Sequence, residues 1–202
     1  LQQRNSLLRS MVDSDNRNNA LLGIYDEQLI ETGVPIFGRR KNFLQSFLPL
    51  AKKFYMEISG RDEEISLAYE SELFRASLAE LLQLNRSKDF LIQRTSSGIH
   101  RDDLEFQLDK HDFKNLASQG QRKSLLFALK LAEMETLKKE KGFAPLLLLD
   151  DVFEKLDESR TANLLKKVCL ENDGQVFITD TNEERLSSHL KQLAIKFHLI
   201  IL

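Results

Sequence analysis

Hydrophobic residues in the first 85 positions recur at the spacing of a helix. Five of them fall on one helical face, at intervals of 4, 3, 4 and 4 residues: Phe43, Phe47, Leu50, Phe54 and Ile58. Pro49 lies inside this pattern and predicts a kink or an interruption, because proline removes a backbone donor. A shorter stripe over residues 22–29 ends before Gly33. We therefore expect residues 1–85 to form a helical arm domain, joined to the rest by a strand over residues 65–69.

The pattern changes after residue 85, where short apolar runs alternate with helical segments. Leu104, Phe106 and Leu108 alternate with polar residues as in a strand, and a helix is predicted from Gln121 to about Lys141. The four leucines at 146–149 predict a short strand buried on both faces. Further predicted elements are a helix over residues 158–170, a strand over 176–179, a short helix near 183 and a final strand over 195–202. This order predicts an α/β fold with a mainly parallel sheet in residues 86–202.

Composition indicates the cellular environment of the protein but not its chemistry. The chain has 202 residues, a net charge of −2 and one cysteine, Cys169, which excludes an internal disulfide and fits a reducing cytosol. No apolar stretch approaches the length of a membrane span, so no membrane partner is expected. The near-neutral charge argues neither for nor against a nucleic-acid partner. The densest basic cluster of the arm, Arg39-Arg40-Lys41, is able to contact DNA phosphates, although such runs are more often solvated faces.

Two adjacent carboxylates, Asp150 and Asp151, follow the leucine run directly. Ligands of open α/β sheets bind beyond the carboxyl ends of the strands, which is where these two acids are predicted to lie. An apolar strand that ends in Asp is typical of a Walker B motif. There the first acid, Asp150, holds the Mg²⁺ of a bound nucleoside triphosphate, and the second, Asp151, orients or deprotonates the attacking water. The alternative interpretation is a cap for the next helix.

The stretch Ser118-Gln119-Gly120-Gln121 opens the predicted helix. Ser118 occupies a position typical of an N-cap, and the amides and dipole of a helix start favour an anion. Gly120 leaves the approach open, since a Cβ there would obstruct a phosphate. An ordinary capped helix is the alternative.

In this order the two patterns resemble the signature and Walker B motifs of ABC-type ATPases, and Asp157 falls at the place of the D-loop in that superfamily. Together with residues 98–104 they resemble the RecF family of bacterial recombination mediators, which have an SMC-like ATPase head. Residues 3–8 and 25–29 are similar to arm segments of the same family. Ile99 stands where that family more often has proline.

The resemblance implies the roles of these residues in ATP binding. Residues 118–121, Asp157 and Thr179 are expected to contact ATP, with the signature of one subunit facing the P-loop of the other in an ATP-dependent homodimer. Asp151 stands where many relatives carry Glu, so turnover is expected to be slow. The implied function is recombinational DNA repair and replication-fork maintenance in the bacterial cytoplasm. The implied partners are gapped DNA with single-strand/double-strand junctions, RecR, RecO and, indirectly, the recombinase RecA.

One departure from the transporter-type ATPases concerns Asp180, which stands where they carry His. An acid there repels phosphate unless it turns away, so Thr179 or Thr181 is expected to supply a hydroxyl contact. A cap for the following helix is the other interpretation of this segment.

No Gly-x-x-x-x-Gly-Lys-Ser/Thr stretch occurs in the sequence, so the P-loop that cradles a triphosphate is missing. The sequence is therefore expected to be the C-terminal part of a longer ATPase and to be inactive by itself. Two alternatives stay open: the nucleotide-binding domain of another ABC or SMC-type ATPase, and a non-catalytic fragment whose helical arm docks a partner.

Overall fold

The computed structural model describes residues 1–11, 19–150, 152, 154–194 and 196–201. Residues 13–19 are a polar run in the sequence, which predicts a loop, and all of them except Asn19 fall outside this part of the chain. The described α-helices are α1 (Gln2–Ser10), α2 (Asn19–Ser59), α3 (Leu78–Leu84), α4 (Arg86–Ile92), α5 (Phe113–Leu116), α6 (Gln119–Lys141), α7 (Glu158–Cys169) and α8 (Glu183–Gln192). The strands are β1 (Ile65–Glu70), β2 (Asp103–Leu108), β3 (His111–Asp112), β4 (Leu147–Leu149) and β5 (Val176–Ile178).

The described residues form two small sheets, which differ in strand direction. The first has the order β1-β2-β3, with β2 and β3 antiparallel across a turn at Asp109 and Lys110, both of which have positive φ. In the second, β4 pairs in parallel with β5, and Leu149 lies opposite Ile178. The predicted α/β class with helices and a parallel strand pair is thus confirmed.

Helix α2 corrects the prediction for the arm. It is one helix of 41 residues that continues through Gly33, Pro35 and Pro49. Each proline removes one amide donor, whereas the other backbone bonds of the helix remain. Packing of the apolar residues Ala51, Phe54 and Ile58, all buried, stabilises the segment that follows Pro49.

The described residues group into two compact units, each made of two separate stretches of chain. The first unit comprises residues 1–45 and 68–105, and the second comprises 46–67 and 106–202. The predicted boundary between residues 85 and 86 follows the change in sequence pattern and stays a prediction.

The main hydrophobic core belongs to the second unit. Most of its buried members come from the end of α2, from α6, α7 and α8 and from β4, and Val176 and Ile178 of β5 pack against it. The largest fully buried apolar side chains of this core include Ile58, Ile65, Leu131, Leu164 and Leu165. This core supports the elements that carry the predicted site.

Two predictions about strands are wrong. Leu147 and Leu149 are buried, but Leu148 is 72% exposed, so β4 buries one face and not both. Side chains alternate between the faces of a strand, and only one face of β4 packs on the core of this chain. The predicted final strand is also absent from the described residues, because residues 196–201 have no regular structure. Ile195 and Leu202 lie outside the described residues.

Candidate functional site

The Ser118 turn, by which we mean residues 118–121, is a capping box at the start of α6. Ser118 has extended backbone angles (φ −63°, ψ 166°), and its Oγ accepts a hydrogen bond from the Gln121 amide at 3.2 Å. The Gln121 side chain accepts in return from the Ser118 amide at 2.9 Å. Ser118 and Gln119 are exposed, so the turn is open to solvent.

The capping box changes what each residue of the turn can offer to a phosphate. The Ser118 hydroxyl accepts one bond and keeps its own proton for a second acceptor. The first-turn amides of a helix have no partner within the helix, which leaves Gln119 and Gly120 amides at the dipole's positive end. The Oε1 of Gln121 is occupied by the Ser118 amide. Gln121 therefore shapes the turn, while Ser118 and the amides provide the donors.

Packing favours glycine at position 120. A Cβ at this position would lie 3.0 Å from the carbonyl oxygen of Lys155, a residue with φ of +69°. The segment before Asp157 therefore runs directly against the Ser118 turn. This contact was not predicted, because nothing in the spacing of the two segments indicates that their backbones touch.

Asp157 is the N-cap of α7. Its Oδ1 accepts from the Arg160 amide at 2.9 Å and from the Ser159 hydroxyl at 2.8 Å, and its Oδ2 accepts from Arg61 at 3.2 Å. The Arg160 amide first, then the Ser159 hydroxyl and the nearby guanidinium groups, hold the pKa of Asp157 below its usual value. The carboxylate is thus ionised and fixed by its own helix.

Asp150 and Thr179 meet at the carboxyl end of the parallel strand pair. The register of β4 and β5 places the residues that follow the two strands side by side, with the Thr179 amide bonded to the Leu149 carbonyl at 2.9 Å. Thr179 Oγ1 donates to Asp150 Oδ1. Asp150 is exposed. Asp151, the predicted catalytic acid, lies outside the described residues.

Asp180 is paired through its carboxylate with Arg185 of the following helix. Its side chain is fully buried, and both of its oxygens accept from Arg185 Nη2 at 2.8 Å. Asn182 caps α8 by accepting from the Arg185 amide at 2.9 Å. The capping interpretation of this segment is therefore confirmed, and the negative charge of Asp180 is neutralised within the fold.

The chain offers only part of a metal site. Within the described residues, no group of three or more His, Cys, Asp or Glu side chains is arranged to hold a metal ion. Asp150 still fits a divalent cation bound to a triphosphate, because such a Mg²⁺ keeps several waters and takes one or two carboxylates in addition to phosphate oxygens. The remaining ligands would have to come from outside the described residues.

The three residues of the basic cluster have different surroundings. Arg40 donates to the Ile99 carbonyl at 2.7 Å and to Asp102 at 3.1 Å, and Lys41 lies 5.7 Å from the centre of the Phe74 ring. Arg39 is exposed. Asp102 also accepts from the Tyr69 hydroxyl. Burial and the bond to Asp102 raise the pKa of Tyr69 to about 12.

One buried cluster near the site was missed in the sequence. Arg160 is 3% exposed and donates to Ser124 Oγ at 3.0 Å and to Glu63, which also accepts from the Tyr55 hydroxyl. The only signal in the sequence is a cation three residues after Asp157, and that spacing is common on helix surfaces. Its partners are distant along the chain, so their meeting depends on the tertiary fold.

The chain is similar to RecF proteins in sequence. No family model matches it. The DNA replication and repair protein RecF of Flavobacterium johnsoniae is 48% identical over 189 residues, which are 94% of this chain and 53% of that protein. RecF of Azobacteroides pseudotrichonymphae is 42% identical over 199 residues, covering 98% of this chain and 54% of that protein. The chain thus spans about half the length of the curated relatives it matches.

Similarity in structure leads to the same proteins. A solved structure of the recombination mediator RecF with ATP, from the RecFOR pathway, superimposes with a TM-score of 0.73 at 35% identity; it covers 91% of this chain and 50% of the other. A second RecF structure, with ATPγS, gives a TM-score of 0.73 at 33% identity and covers 91% and 51%. Over about half of their length, the chain is thus similar to RecF proteins in both sequence and structure.

Proposed function

We propose that the chain supplies the signature half of an ATP site in an ATP-dependent DNA-binding protein of recombinational repair. The observation that supports this most is the exposed Ser118 turn, whose hydroxyl and first-turn amides are donors at a helix N-terminus. Such a turn completes a phosphate site but has no lysine or phosphate cradle. It therefore needs a P-loop from elsewhere, and in the proposed arrangement a second subunit provides it.

Within the proposed site, donors and acids have separate tasks. Ser118 and the amides of Gln119 and Gly120 would bind the terminal phosphate of ATP held by the partner subunit. Gln121 keeps the turn in shape, and Asp157 would face the same nucleotide from the start of α7. The contacts of the Ser118 turn place the positive end of the α6 dipole against the negative phosphate, which favours the assembled dimer over two separate subunits.

The acids after β4 would serve the nucleotide held by their own subunit. Asp150 would hold Mg²⁺, with Thr179 fixing one of its oxygens by a hydrogen bond. Bound Mg²⁺ would neutralise charge on the phosphate oxygens. Asp151 is proposed to orient the attacking water or to take its proton. An aspartate reaches less far than a glutamate, which fits slow turnover and a timed clamp.

The proposed cycle follows from the location of these groups. ATP joins two heads, and its hydrolysis removes the phosphate that the Ser118 turn binds, so the dimer separates. In the whole protein we propose gapped DNA with strand junctions as the substrate, RecR and RecO as partners, and the loading of RecA as the outcome, in a bacterial cytoplasm. Among the described residues, no helix is both long and apolar enough to cross a bilayer.

For the DNA contact, Arg39 is the best candidate in the basic cluster. Arg40 is already bonded to Asp102 and to the Ile99 carbonyl, and Lys41 lies over an aromatic ring. Arg39 is exposed. We propose that the cluster binds DNA phosphates mainly through Arg39, so Arg39→Ala should reduce the salt dependence of DNA binding by about one counterion. An unchanged salt slope would remove the cluster from this role.

The Ser118 turn can be tested with a matched control. In the full-length protein, Ser118→Ala removes one hydroxyl and should weaken ATP-dependent dimerisation about tenfold or more, the effect of one hydrogen bond to a charged group (about 1.5–3 kcal/mol). Ser77→Ala is the control, because Ser77 forms the same capping box at α3 with Glu80. Both variants should lose about 1 kcal/mol of stability. Equal dimerisation of the two variants in ultracentrifugation would contradict the proposal.

Two further observations would separate this function from its alternatives. A P-loop in the full-length sequence favours an ATPase over a non-catalytic docking fragment. In the full-length protein, Asp151→Asn should reduce ATP hydrolysis while ATP-driven dimerisation persists. Unchanged hydrolysis would remove Asp151 from the proposed role.

A further inference from the structure

Arg160 is a buried cation with partners on three sides. Its Nη2 donates to Glu63, its Nη1 donates to Ser124 Oγ at 3.0 Å, and its Nε lies 3.5 Å from Asp157 Oδ2. Glu63 is only 13% exposed in its side chain and accepts a second bond, from the Tyr55 hydroxyl. A buried guanidinium requires such compensation. The cluster therefore holds the guanidinium in one orientation.

Ser124 connects this cation to the Ser118 turn. Its hydroxyl donates to the Gly120 carbonyl at 2.8 Å, one helical turn earlier. A hydroxyl has a single proton, so toward Arg160 it can act only as acceptor. The resulting relay runs in one direction, from guanidinium to hydroxyl to the carbonyl of Gly120. Ser124 has no exposed surface, so water does not compete for either bond.

The same arginine is tied to Asp157 from the other side. The Arg160 amide donates to Asp157 Oδ1 at 2.9 Å, and the guanidinium adds a charge near Oδ2. The backbone of Lys155 already touches Gly120, with its carbonyl 3.0 Å from where a Cβ would lie. Two independent contacts thus join the Ser118 turn to the segment that ends at Asp157.

We propose that Arg160, acting through Ser124, is a positioning residue that keeps the Ser118 turn and Asp157 in one fixed arrangement, so that both meet the partner's ATP together. This inference rests on the proposed function. The inference goes beyond the proposed function by assigning a role to two residues, Arg160 and Ser124, that would not touch the nucleotide. If the cluster served stability alone, loosening it would lower the melting temperature without changing nucleotide-driven assembly of the folded protein.

The test uses the full-length protein and a control on the same helix. Ser124→Ala removes the relay and leaves the pair of Arg160 with Glu63. Thr136→Ala is the matched control, because Thr136 makes the same kind of bond to the carbonyl four residues earlier (2.7 Å to Ala132). ATP binding by the monomer, ATP-dependent dimerisation and melting temperature are measured for each variant. We expect Ser124→Ala to weaken dimerisation by about fivefold or more, within the usual range of coupling between sites. Monomer ATP affinity should stay within twofold of wild type.

Arg160→Lys provides a second variant. Lysine keeps the charge near Glu63 but loses the fork that reaches Ser124 and Asp157 at once, so dimerisation should again be weakened. The inference is overturned if both variants dimerise on ATP like wild type and like Thr136→Ala, whatever their melting temperatures. If wild type itself neither binds ATP nor dimerises on it, the proposed function fails and this inference fails with it. A loss confined to the variants supports both.

Discussion

Two buried arginines, one in each compact unit, are paired in similar ways but join different kinds of residues. Arg4 in α1 is 1% exposed and Arg160 in α7 is 3% exposed. Arg4 donates to Asp26 at 2.6 Å, to Asp89 at 2.7 Å and to Thr95 at 2.8 Å. Arg160 has carboxylate and hydroxyl partners as well, but these lie next to the Ser118 turn and Asp157. The first arginine connects helices, whereas the second connects candidate site residues.

The comparison shows why burial and charge do not reveal a function by themselves. Asp89 has no exposed surface, and its other oxygen accepts from the amide and hydroxyl of Ser96 at 2.8 and 2.6 Å. This network fixes α1, α2 and α4 of the first unit and includes none of the predicted site residues. Arg160, which is buried to a similar degree in the second unit, is linked to the Gly120 carbonyl by two successive hydrogen bonds through Ser124. The role follows from what the partners do.

The largest effect is expected at Arg4. Arg4→Met would leave Asp89 as a buried charge without its cation, and breaking a buried pair in this way costs about 3–5 kcal/mol. Denaturant unfolding of the first unit measures this loss. Arg9→Ala is the control, because Arg9 is exposed on the same helix and bonds the Asn5 carbonyl; its effect should stay within about 0.5 kcal/mol. A loss below 1 kcal/mol for Arg4→Met would contradict the claim that Arg4 stabilises the first unit through a buried ion pair.

A smaller loss is expected at Glu63. Glu63→Gln keeps the shape and a carbonyl acceptor but removes the charge that compensates Arg160, so we expect a loss of about 2 kcal/mol. Asp157, which is 43% exposed in its side chain, retains part of the compensation. Glu64→Gln is the control, since Glu64 is exposed and lies 4.0 Å from Lys110. Equal unfolding free energies for the two variants would show that the Arg160 cluster is not a stabilising pair.

The Asp157 cap predicts a pH dependence of about 1 kcal/mol or less, the size of one cap. The pKa of Asp157 is lower in the folded chain than in the unfolded one, so the folded state favours the ionised form. Its contribution is complete above the ordinary carboxyl pKa and is lost as the pH falls through the lower folded value. Asp157→Asn keeps a capping side chain without this titration. Its unfolding free energy should therefore fall less steeply than that of wild type below about pH 4. Parallel acid profiles would contradict this account.

The last prediction concerns a reaction rate, at Cys169 on the helix that carries Arg160. Burial raises the pKa of the Cys169 thiol to about 11, so little thiolate exists at pH 8. Alkylation of the folded chain should be slower than that of the unfolded chain on the order of a hundredfold. Glu63→Gln should speed the reaction if it loosens α7, and Glu64→Gln should not. Fast alkylation of the folded wild type would show that α7 opens readily.

Local patterns predicted most of the elements around the site. The alternation at Leu104, Phe106 and Leu108 gave β2, and the serine before Gln119 and Gln121 gave the cap of α6. These features depend on residues within one turn or one strand, where sequence spacing and geometry are directly linked. The similarity to RecF was carried by the same short motifs.

Features that depend on packing were predicted less well. Proline signals in α2 indicated a break, but the buried face of the helix outweighed the local preference. The leucine run indicated a strand buried on both sides, yet an apolar run does not state how many of its faces find a partner. Leu148 is exposed for that reason.

The sequence by itself therefore determined the chemistry that is available: a capped helix start at Ser118, a carboxylate after an apolar strand at Asp150, and an acid at the start of α7. Only the tertiary structure decided which of these groups meet. Thr179 binds Asp150 because two strands lie in parallel register, and Arg160 reaches Gly120 because α6 and α7 share one core. Contacts between residues that are distant along the chain depend on how the helices and strands pack. Hydrophobic spacing predicts where a helix or strand forms, but it does not predict which other elements that helix or strand packs against.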